Sequence, residues 1–420
     1  MAVLVCDAIM GAGKTSAAIT YMNEHRDDLF VYITPFLDEA NRIKMSCPDL
    51  HFVEPSNKLG QFDFSKTVHT FDLLKNRRNI ATTHKAFKYY TPEMMQEIRE
   101  GGYTLLIDEN VSVLESTNIT RADIDMLCEC GFVEDDGNEY KLGGRVYEGS
   151  AFAEFTRTMR LRKMMRVIDD DDDMLYYWML SPEFITAFKD VIVMTYLFDG
   201  QDIHHFLELN RVPYTKIGTK LCDDGRYRFH EGAYAPPAYT GRLSEMIHIY
   251  EGENLNEIGD NTFALSMNWF EKKRGVEKLK NNVYNYFRHI IGDDMSSGRM
   301  WGTYDKFRTA LRGKGYTNQF VIFNDRATNA YRERNVLVYA VNLYMNVGQK
   351  LFYKSRGIEV SDDAYALSIM VQWVWRSAIR DGKEIWIYIP SRRMRELLID
   401  WIASVERSYR EWDGNTEVVA

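Results

Sequence analysis

Residues 3–16 read VLVCDAIMGAGKTS, and this stretch decides the fold of the first half of the chain. An apolar run, Val3 to Cys6, leads into a glycine-containing turn, and the helical run Ser16 to Asn23 follows. The two glycines let backbone N–H groups converge on phosphate oxygens, and the start of a helix adds partial positive charge. The order of strand, glycine-rich loop and helix therefore predicts a phosphate-binding loop of the pattern G-x-x-x-x-G-K-[ST].

The residue types in this loop predict what it binds. Lys14 is expected to reach the β- and γ-phosphates of a nucleotide, and the Thr15 hydroxyl is expected to bind Mg²⁺. Ala8 stands where the pattern has its first glycine. This mismatch leaves the alternative of a glycine turn with an incidental lysine. The order of strand, loop and helix argues against that alternative. ATP and Mg²⁺ are the expected ligands. The predicted nucleotide-binding residues are Gly11, Ala12, Gly13, Lys14, Thr15 and Ser16.

Two carboxylates follow a second apolar run. Residues 105–110 read LLIDEN, so Asp108 and Glu109 stand at the end of a predicted strand. Strand ends of a parallel sheet lie on the edge where the phosphates bind. Asp108 is therefore expected in the Mg²⁺ shell, and Glu109 is expected to polarise the attacking water. The pair predicts nucleotide hydrolysis.

Short apolar runs alternate with segments of helical period, which predicts α/β architecture with parallel sheets flanked by helices. The first domain is predicted over residues 1–222, with a mainly helical insertion at about 116–190. A linker is predicted at 223–242, and a second α/β domain at 243–420. The predicted strands are Val3–Cys6, Leu29–Thr34, Asn79–Thr83, Tyr103–Ile107, Val191–Thr195, Met246–Tyr250, Phe263–Ser266, Phe320–Phe323 and Glu384–Ile389.

Residues 372–380 read QWVWRSAIR. Gln372, Arg376 and Arg380 stand four apart, so on a helix they would form one polar ridge. Arginines in such a position can neutralise charge on a transferred phosphoryl group. The alternative interpretation is a surface helix with ordinary basic residues.

Composition bounds the partners and the location. The net charge of -9 argues against a protein that coats nucleic acid by bulk electrostatics, so any nucleic-acid path must be local. Five scattered cysteines argue against a disulfide framework and a structural zinc site, and no apolar stretch is long enough to cross a membrane. We expect no signal peptide and a cytoplasmic setting. The basic clusters, which solvated helix faces also explain, are Arg157, Arg160, Arg162, Lys163 and Arg166; Lys272, Lys273 and Arg274; and Arg392, Arg393 and Arg395.

Taken together, these segments resemble the superfamily 2 helicases and translocases, the DEAD/DEAH-like group of P-loop NTPases, in the shortened form encoded by bacteriophages. Ala8 to Thr15 is similar to the A-x-x-G-x-G-K-T loop of that group, and Asp108 with Glu109 is similar to its Asp-Glu box. The resemblance implies two RecA-like domains, with ATP in a cleft between Lys14 and Arg376. No adenine-selecting glutamine element stands before the loop, so selectivity for ATP over other nucleotides is not predicted.

The resemblance also implies roles for other residues. Gln372 to Arg380 looks like the Q-x-x-G-R-x-x-R finger helix, with Trp375 in place of the glycine. The catalytic residues that it implies are Lys14, Glu109, Gln372, Arg376 and Arg380. The nucleic-acid contacts that it implies are Thr34, Pro35, Arg42, Thr82, Thr83, His84, Arg326, Thr328 and Asn329, although caps and turns explain the residues at strand ends equally well.

The function implied is ATP-dependent stepping along nucleic acid or its unwinding, in phage replication or recombination. The partner is then nucleic acid, DNA rather than RNA, together with replication or recombination proteins, in the host cytoplasm. One alternative is a viral DNA-packaging ATPase, which metal-dependent cleavage of plasmid DNA would favour. Another is a nucleotide switch with little turnover, against which Glu109 and the arginines of residues 372–380 both argue.

Overall fold

A computed structural model describes residues 1–57, 65–137, 139–149, 151–168, 174–273, 275–292, 295–324 and 330–416. The chain divides into two compact units. Unit 1 comprises Met1–Ala8, Gly13–Tyr234 and Asn346–Val360, and unit 2 comprises Ile9–Ala12, Ala235–Met345 and Ser361–Ala420. Among the described residues, unit 1 contains two sheets and unit 2 contains one.

Within the described residues, the strands are, in chain order, β1 (Val3–Asp7), β2 (Phe30–Thr34), β3 (Ile80–Thr83), β4 (Thr104–Asp108), β5 (Leu114–Ser116), β6 (Val133–Asp135), β7 (Glu139–Leu142), β8 (Arg162–Ile168), β9 (Met174–Leu180), β10 (Asp190–Thr195), β11 (Thr215–Leu221), β12 (Tyr227–Glu231), β13 (Ile247–Ile249), β14 (Arg299–Gly302), β15 (Val336–Tyr339) and β16 (Ile385–Tyr388).

The helices of the same residues are α1 (Lys14–Glu24), α2 (Leu37–Ser46), α3 (Lys66–Lys75), α4 (His84–Phe87), α5 (Pro92–Gly101), α6 (Arg121–Glu129), α7 (Ala153–Met159), α8 (Glu183–Thr186), α9 (Asp202–Leu209), α10 (Leu243–Met246), α11 (Glu253–Asn256), α12 (Met267–Glu271), α13 (Val276–Asn285), α14 (Arg308–Leu311), α15 (Val347–Lys354), α16 (Asp362–Val374) and α17 (Arg392–Thr416).

The main sheet of unit 1 has the strand order β12-β11-β1-β10-β4-β2-β3. Neighbouring strands are parallel except at the edge, where β12 runs antiparallel to β11. All five residues of β2 and all five of β4 are buried, as expected for parallel strands that are covered on both faces. The predicted α/β class is confirmed, and each of the five strands predicted in the first half lies within one or two residues of its predicted bounds.

The insertion is a second, antiparallel sheet of unit 1, with the order β5-β9-β8-β7-β6. The prediction of a mainly helical segment is therefore wrong. The aromatic and β-branched residues of β8 and β9 favour strands that pack on one face, despite the basic residues within 162–166. That face and helix α6 share a buried cluster, which consists of Ile124, Leu127, Val133, Tyr140, Met164 and Tyr176.

Residues 346–360 follow β15 in the chain but complete unit 1. The side-chain amide of Gln349 donates to the Leu114 carbonyl over 3.0 Å, and the Phe352 ring lies 6.1 Å from the ring of Tyr177 between centroids. The Arg356 guanidinium donates to the Arg166 carbonyl over 3.2 Å. Helix α15 thus packs against the antiparallel sheet of unit 1.

Unit 2 has a parallel sheet with the order β13-β16-β15-β14. The predictions at Met246–Tyr250 and Glu384–Ile389 correspond to β13 and β16, but Phe263–Ser266 and Phe320–Phe323 are not strands. The first of these is a turn held by Asn342, whose side-chain amide donates to the carbonyls of Thr262 and Ala264 over 2.8 Å each.

The sequence reasoning missed β14 and β15 of unit 2 and, outside the insertion, β11 and β12 of unit 1. Strands β14 and β15 are short, and β14 begins with Arg299, a charged residue that is only 3% exposed because backbone carbonyls accept from its guanidinium. Strand β12 lies in the predicted linker, where it pairs with β11 over five residues. The linker prediction is therefore wrong at residues 227–231.

Candidate nucleotide-binding site

The phosphate-binding loop joins β1 to α1 through two left-handed glycines. Gly11 has φ +90° and Gly13 has φ +82°, conformations that residues with side chains rarely adopt. Gly13 is the N-cap of α1 and has no side chain that could accept a hydrogen bond, and the first turn of α1 has no acidic residue. The N–H groups of Lys14, Thr15 and Ser16 therefore stand at the positive end of a helix, where an anion is stabilised.

Lys14 lies at the same loop. Its ammonium group donates a hydrogen bond to the carbonyl of Ala8, the residue that follows β1. This hydrogen bond holds the side chain back along the loop, toward the strand end where the predicted phosphates bind. The side chain is half-buried, so the ammonium group is positioned by the protein and still reaches solvent.

The Asp108 carboxylate is buried at the end of β4, with 8% of the residue exposed. Its Oδ2 accepts a hydrogen bond of 2.9 Å from the hydroxyl of Tyr32, a β2 residue that the sequence reasoning did not single out. The pKa of Asp108 is raised to about 7, chiefly by burial and then by the neighbouring Glu109, against the lowering effects of Tyr32 and Lys14. Asp108 therefore lies within electrostatic reach of both Glu109 and Lys14.

Strand register places these groups on one edge of the sheet. Asp108 pairs with Met194 of β10, and Met194 pairs with Cys6 of β1, so the three residues form one row across the sheet. The Cα atoms of Asp108 and Cys6 are two strand spacings apart, about 10 Å. The loop predicted to bind phosphate thus begins at Ala8, two residues beyond the row that contains the carboxylate.

Glu109 follows Asp108 in a left-handed conformation, with φ +67°, and its N–H donates to the Met194 carbonyl over 2.9 Å. A non-glycine residue in this region costs of order 1 kcal/mol or more, and such residues concentrate at functional sites. The turn ends β4 at Asp108 and directs the chain away from the sheet, which leaves the Glu109 side chain half-exposed.

The donor set fits Mg²⁺. Carboxylate and hydroxyl oxygens are the ligands that this hard cation prefers, and it is commonly held by one or two protein groups together with substrate phosphates. Asp108 supplies the carboxylate, and Thr15 is half-buried in the first turn of α1. Across the described residues, we found no group of three or more His, Cys, Asp or Glu side chains that could hold a metal ion.

The residues predicted to contact nucleic acid cluster at the ends of β2 and β3, where Thr34 pairs with Thr83. Thr34, Thr82 and His84 are buried, and the Thr83 hydroxyl caps α4 by accepting from the Ala86 N–H over 3.3 Å. Thr83 therefore acts as a helix cap, which was the predicted alternative to a nucleic-acid contact at this position.

Pro35 and Arg42 lie beyond the end of β2. Pro35 is half-buried, while Arg42 is exposed and pairs with Glu39 over 3.2 Å. The predicted contacts Arg326, Thr328 and Asn329 lie outside the described residues, as do Arg274 of a basic cluster and the aspartates at 169–173.

The prediction that residues 372–380 form one helix is wrong. Helix α16 ends at Val374, and the backbone tightens so that the Arg376 N–H donates to the Trp373 carbonyl over 3.2 Å. Arg380 lies in a separate 3-10 turn, so it does not continue a ridge with Gln372. Arg376 is 5% exposed, whereas Gln372 and Arg380 are half-buried.

Comparison with known proteins gives a family. A family model described as the YonV C-terminal Rossmann-like domain matches residues 241–402. The SPbeta prophage-derived uncharacterized protein YonV of Bacillus subtilis (strain 168) is 37% identical over 414 residues, which cover 95% of this chain and 98% of that protein. The chain belongs to the YonV family. The Rossmann-like match agrees with the parallel sheet of unit 2.

Solved structures resemble this YonV family member only distantly. An XPD helicase structure has a TM-score of 0.46 at 10% identity and covers 94% of each chain. Xpd4 of S. tokodaii has a TM-score of 0.48 at 11% identity, covering 95% of this chain and 94% of that one. Likenesses at this level carry no information about activity.

Ten members of the predicted basic clusters of this YonV family member have described side chains, and five of them form ion pairs with acidic residues. These pairs are Arg162–Glu115 at 2.6 Å, Lys163–Glu139 at 3.1 Å, Arg166–Asp135 at 2.5 Å, Arg392–Asp260 at 2.8 Å and Arg393–Asp363 at 2.7 Å. Such pairing fits a structural role at these positions. A search of the described helices identified none with the length and apolar character of a membrane span.

Proposed function

We propose that this chain is a Mg²⁺-dependent ATPase of the P-loop class that acts on nucleic acid, as a helicase or translocase of superfamily 2 type. The observation that carries the ATPase part is the shared sheet edge: the loop with Lys14 and the carboxylate of Asp108 face each other across β10. The nucleic-acid part rests on the sequence resemblance. The prophage origin given for the Bacillus relative supports a role in phage DNA replication or recombination.

The residues at this edge divide the chemistry of hydrolysis between them. The N–H groups of the first turn of α1 and the ammonium of Lys14 would bind the phosphates, the latter by exchanging the Ala8 carbonyl for phosphate oxygens. Asp108 and Thr15 would hold Mg²⁺, which when bound screens the charge of the phosphates. Glu109, half-exposed beyond the strand end, would accept the proton of the attacking water.

The test measures ATP hydrolysis with and without single-stranded DNA. We expect hydrolysis that DNA stimulates, and Lys14→Ala should lose nucleotide binding. Glu109→Gln should still bind Mg-ATP but turn it over about 10² to 10⁴ times more slowly, because only proton transfer is removed. Arg42→Ala, at a predicted nucleic-acid contact on α2, should weaken the stimulation by DNA. Arg99→Ala, at an exposed position on α5 outside the predicted contacts, is its matched control.

The outcomes separate the candidate functions. Hydrolysis that ignores DNA would contradict the helicase or translocase proposal. ATP binding without turnover in the wild type would favour a nucleotide switch. Metal-dependent cleavage of plasmid DNA would favour a packaging ATPase.

A further inference from the structure

A tyrosine that the proposed chemistry does not use lies against the phosphate-binding loop. Tyr227 begins β12, and its ring packs directly on Gly13, the residue that precedes α1. The contact is so close that a side-chain carbon added to Gly13 would overlap the ring. Tyr227 as a whole is only half-buried.

The β11–β12 hairpin that carries this ring is fastened to α1. The Arg228 guanidinium donates to Glu24, in the last turn of α1, over 2.6 and 2.9 Å. It also donates to Asp224, in the turn of the hairpin, over 2.7 and 3.0 Å. Next to it, the Phe229 ring meets the Tyr21 ring edge-on with 6.2 Å between centroids. Tyr227 is therefore held in place relative to the helix that begins the phosphate site.

The strand order determines which way a nucleotide would point. Asp108 on β4 and Tyr227 on β12 lie on opposite sides of β1 in the sheet. If the terminal phosphate lies toward Asp108, where Mg²⁺ is expected, the nucleoside end leaves the loop on the side of β11 and β12. The ring of Tyr227 is on that side and already touches the loop.

We propose that Tyr227 is the surface on which the nucleobase stacks, an inference that rests on the proposed nucleotide site. An aromatic ring stacks on any base, because every base has a π-face and no base-specific hydrogen bond is needed. The residue therefore sets both affinity and specificity: the enzyme accepts ATP, GTP and pyrimidine nucleotides with similar affinity.

The experiment compares three probes: Mg-ATP, Mg-GTP and Mg-tripolyphosphate, which has no base. Tyr227→Leu should weaken binding of both nucleotides about fivefold or more, by loss of one stacked ring. Binding of tripolyphosphate should not change. Tyr227→Phe should retain wild-type affinities, and Tyr89→Leu, at an exposed tyrosine outside this hairpin, is the matched control.

A second measurement uses the unsubstituted protein and so does not depend on the folding of any variant. The fluorescence of 2-aminopurine riboside triphosphate is quenched when its base stacks, and we expect quenching on binding. Full affinity for ATP in Tyr227→Leu, equal losses for ATP and tripolyphosphate, or unquenched fluorescence would each overturn the stacking role. Failure of the wild type to bind any of the three probes would instead overturn the proposed function itself.

Discussion

Replacement of Asp108 by asparagine should make the protein more stable at neutral pH while removing its activity. Asparagine has nearly the same shape as aspartate and still offers an oxygen to the Tyr32 hydroxyl, which is 2.9 Å from the Asp108 carboxylate. It cannot ionise, however. The variant therefore removes only the charge that is buried at the end of β4.

The magnitude follows from the pKa. The pKa of Asp108 is raised from 3.8 to about 7, chiefly by burial and then by the charge of Glu109. Below pH 4 the carboxyl is protonated whether the chain is folded or unfolded, so its pKa has no effect on stability there. Between pH 4 and 7 only the folded state keeps the proton, so the free energy of unfolding of the wild type falls as the pH rises, and above pH 7 it levels off. Each pH unit in this window is worth ~1.4 kcal/mol, which gives up to about 4 kcal/mol in all.

Urea unfolding at several pH values between 4 and 8 measures this effect. The variant should match the wild type near pH 4 and exceed it progressively up to pH 7, with a constant difference above. Asp27→Asn, at an exposed position after α1, is the matched control, for which no such pH-dependent gain is expected.

Two results would refute the reasoning. One is a difference between Asp108→Asn and the wild type that stays constant from pH 4 to 8. The other is a variant that is less stable than the wild type at pH 8. Either would mean that the charge of Asp108 is already compensated in the folded protein without Mg²⁺.

Three further predictions concern the same site. Binding of Mg-ATP at pH 7 should release about half a proton from Asp108, because Mg²⁺ requires the ionised carboxylate. Calorimetry in buffers of different ionisation enthalpy measures this release, and Asp108→Asn should abolish it. Gly13→Ala should lower the free energy of unfolding, measured in urea, by roughly 1–3 kcal/mol, because alanine is strained at φ +82° and its added carbon would overlap the Tyr227 ring. Adding Tyr227→Ala should recover only the part of this loss that is due to the overlap. Arg380→Ala should lower kcat about 10³-fold at unchanged nucleotide affinity if its guanidinium acts on the transferred phosphoryl group. Arg312→Ala, at an exposed position, should have no effect. Equal losses of affinity and kcat in Arg380→Ala would contradict the role.

Local patterns were enough to predict the strands and the helix that carry the proposed phosphate site. The apolar run before Asp108 predicted a buried parallel strand, and the glycine turn before Lys14 predicted the start of a helix. Neither needs a long-range partner to be recognised. Tyr32 could not be found in this way, because its contact with Asp108 depends on β2 and β4 being neighbours in the sheet.

Residues 372–380 show where regular spacing misled the prediction. The four-residue repeat of Gln372, Arg376 and Arg380 indicated a helix, but side-chain hydroxyls can compete for the carbonyls that a helix needs. Here Ser377 Oγ donates to the Val374 carbonyl over 2.6 Å, and the Ser377 backbone is extended, with ψ −170°. Helix α16 therefore ends at Val374 and does not continue through Ser377.

Tyr227 had no local pattern that distinguished it from other tyrosines in a segment taken for a linker. Its place beside Gly13 arises from the antiparallel pairing of β12 with β11, which register rather than composition determines. The prediction of a mainly helical insertion was wrong for a similar reason. The strands there are defined by the pairing of β8 with β9, which the basic residues Arg162, Lys163 and Arg166 gave no sign of.

The return of residues 346–360 to unit 1 limits how the protein can be taken apart. A fragment that stops at Tyr234 would lose the Phe352 ring from beside Tyr177 and the amide of Gln349 from the Leu114 carbonyl. Its antiparallel sheet would then expose aromatic surface to water, so such a fragment should aggregate. Supplying 346–360 as a peptide, or joining it to Tyr234 through a short linker, should restore a soluble unit 1.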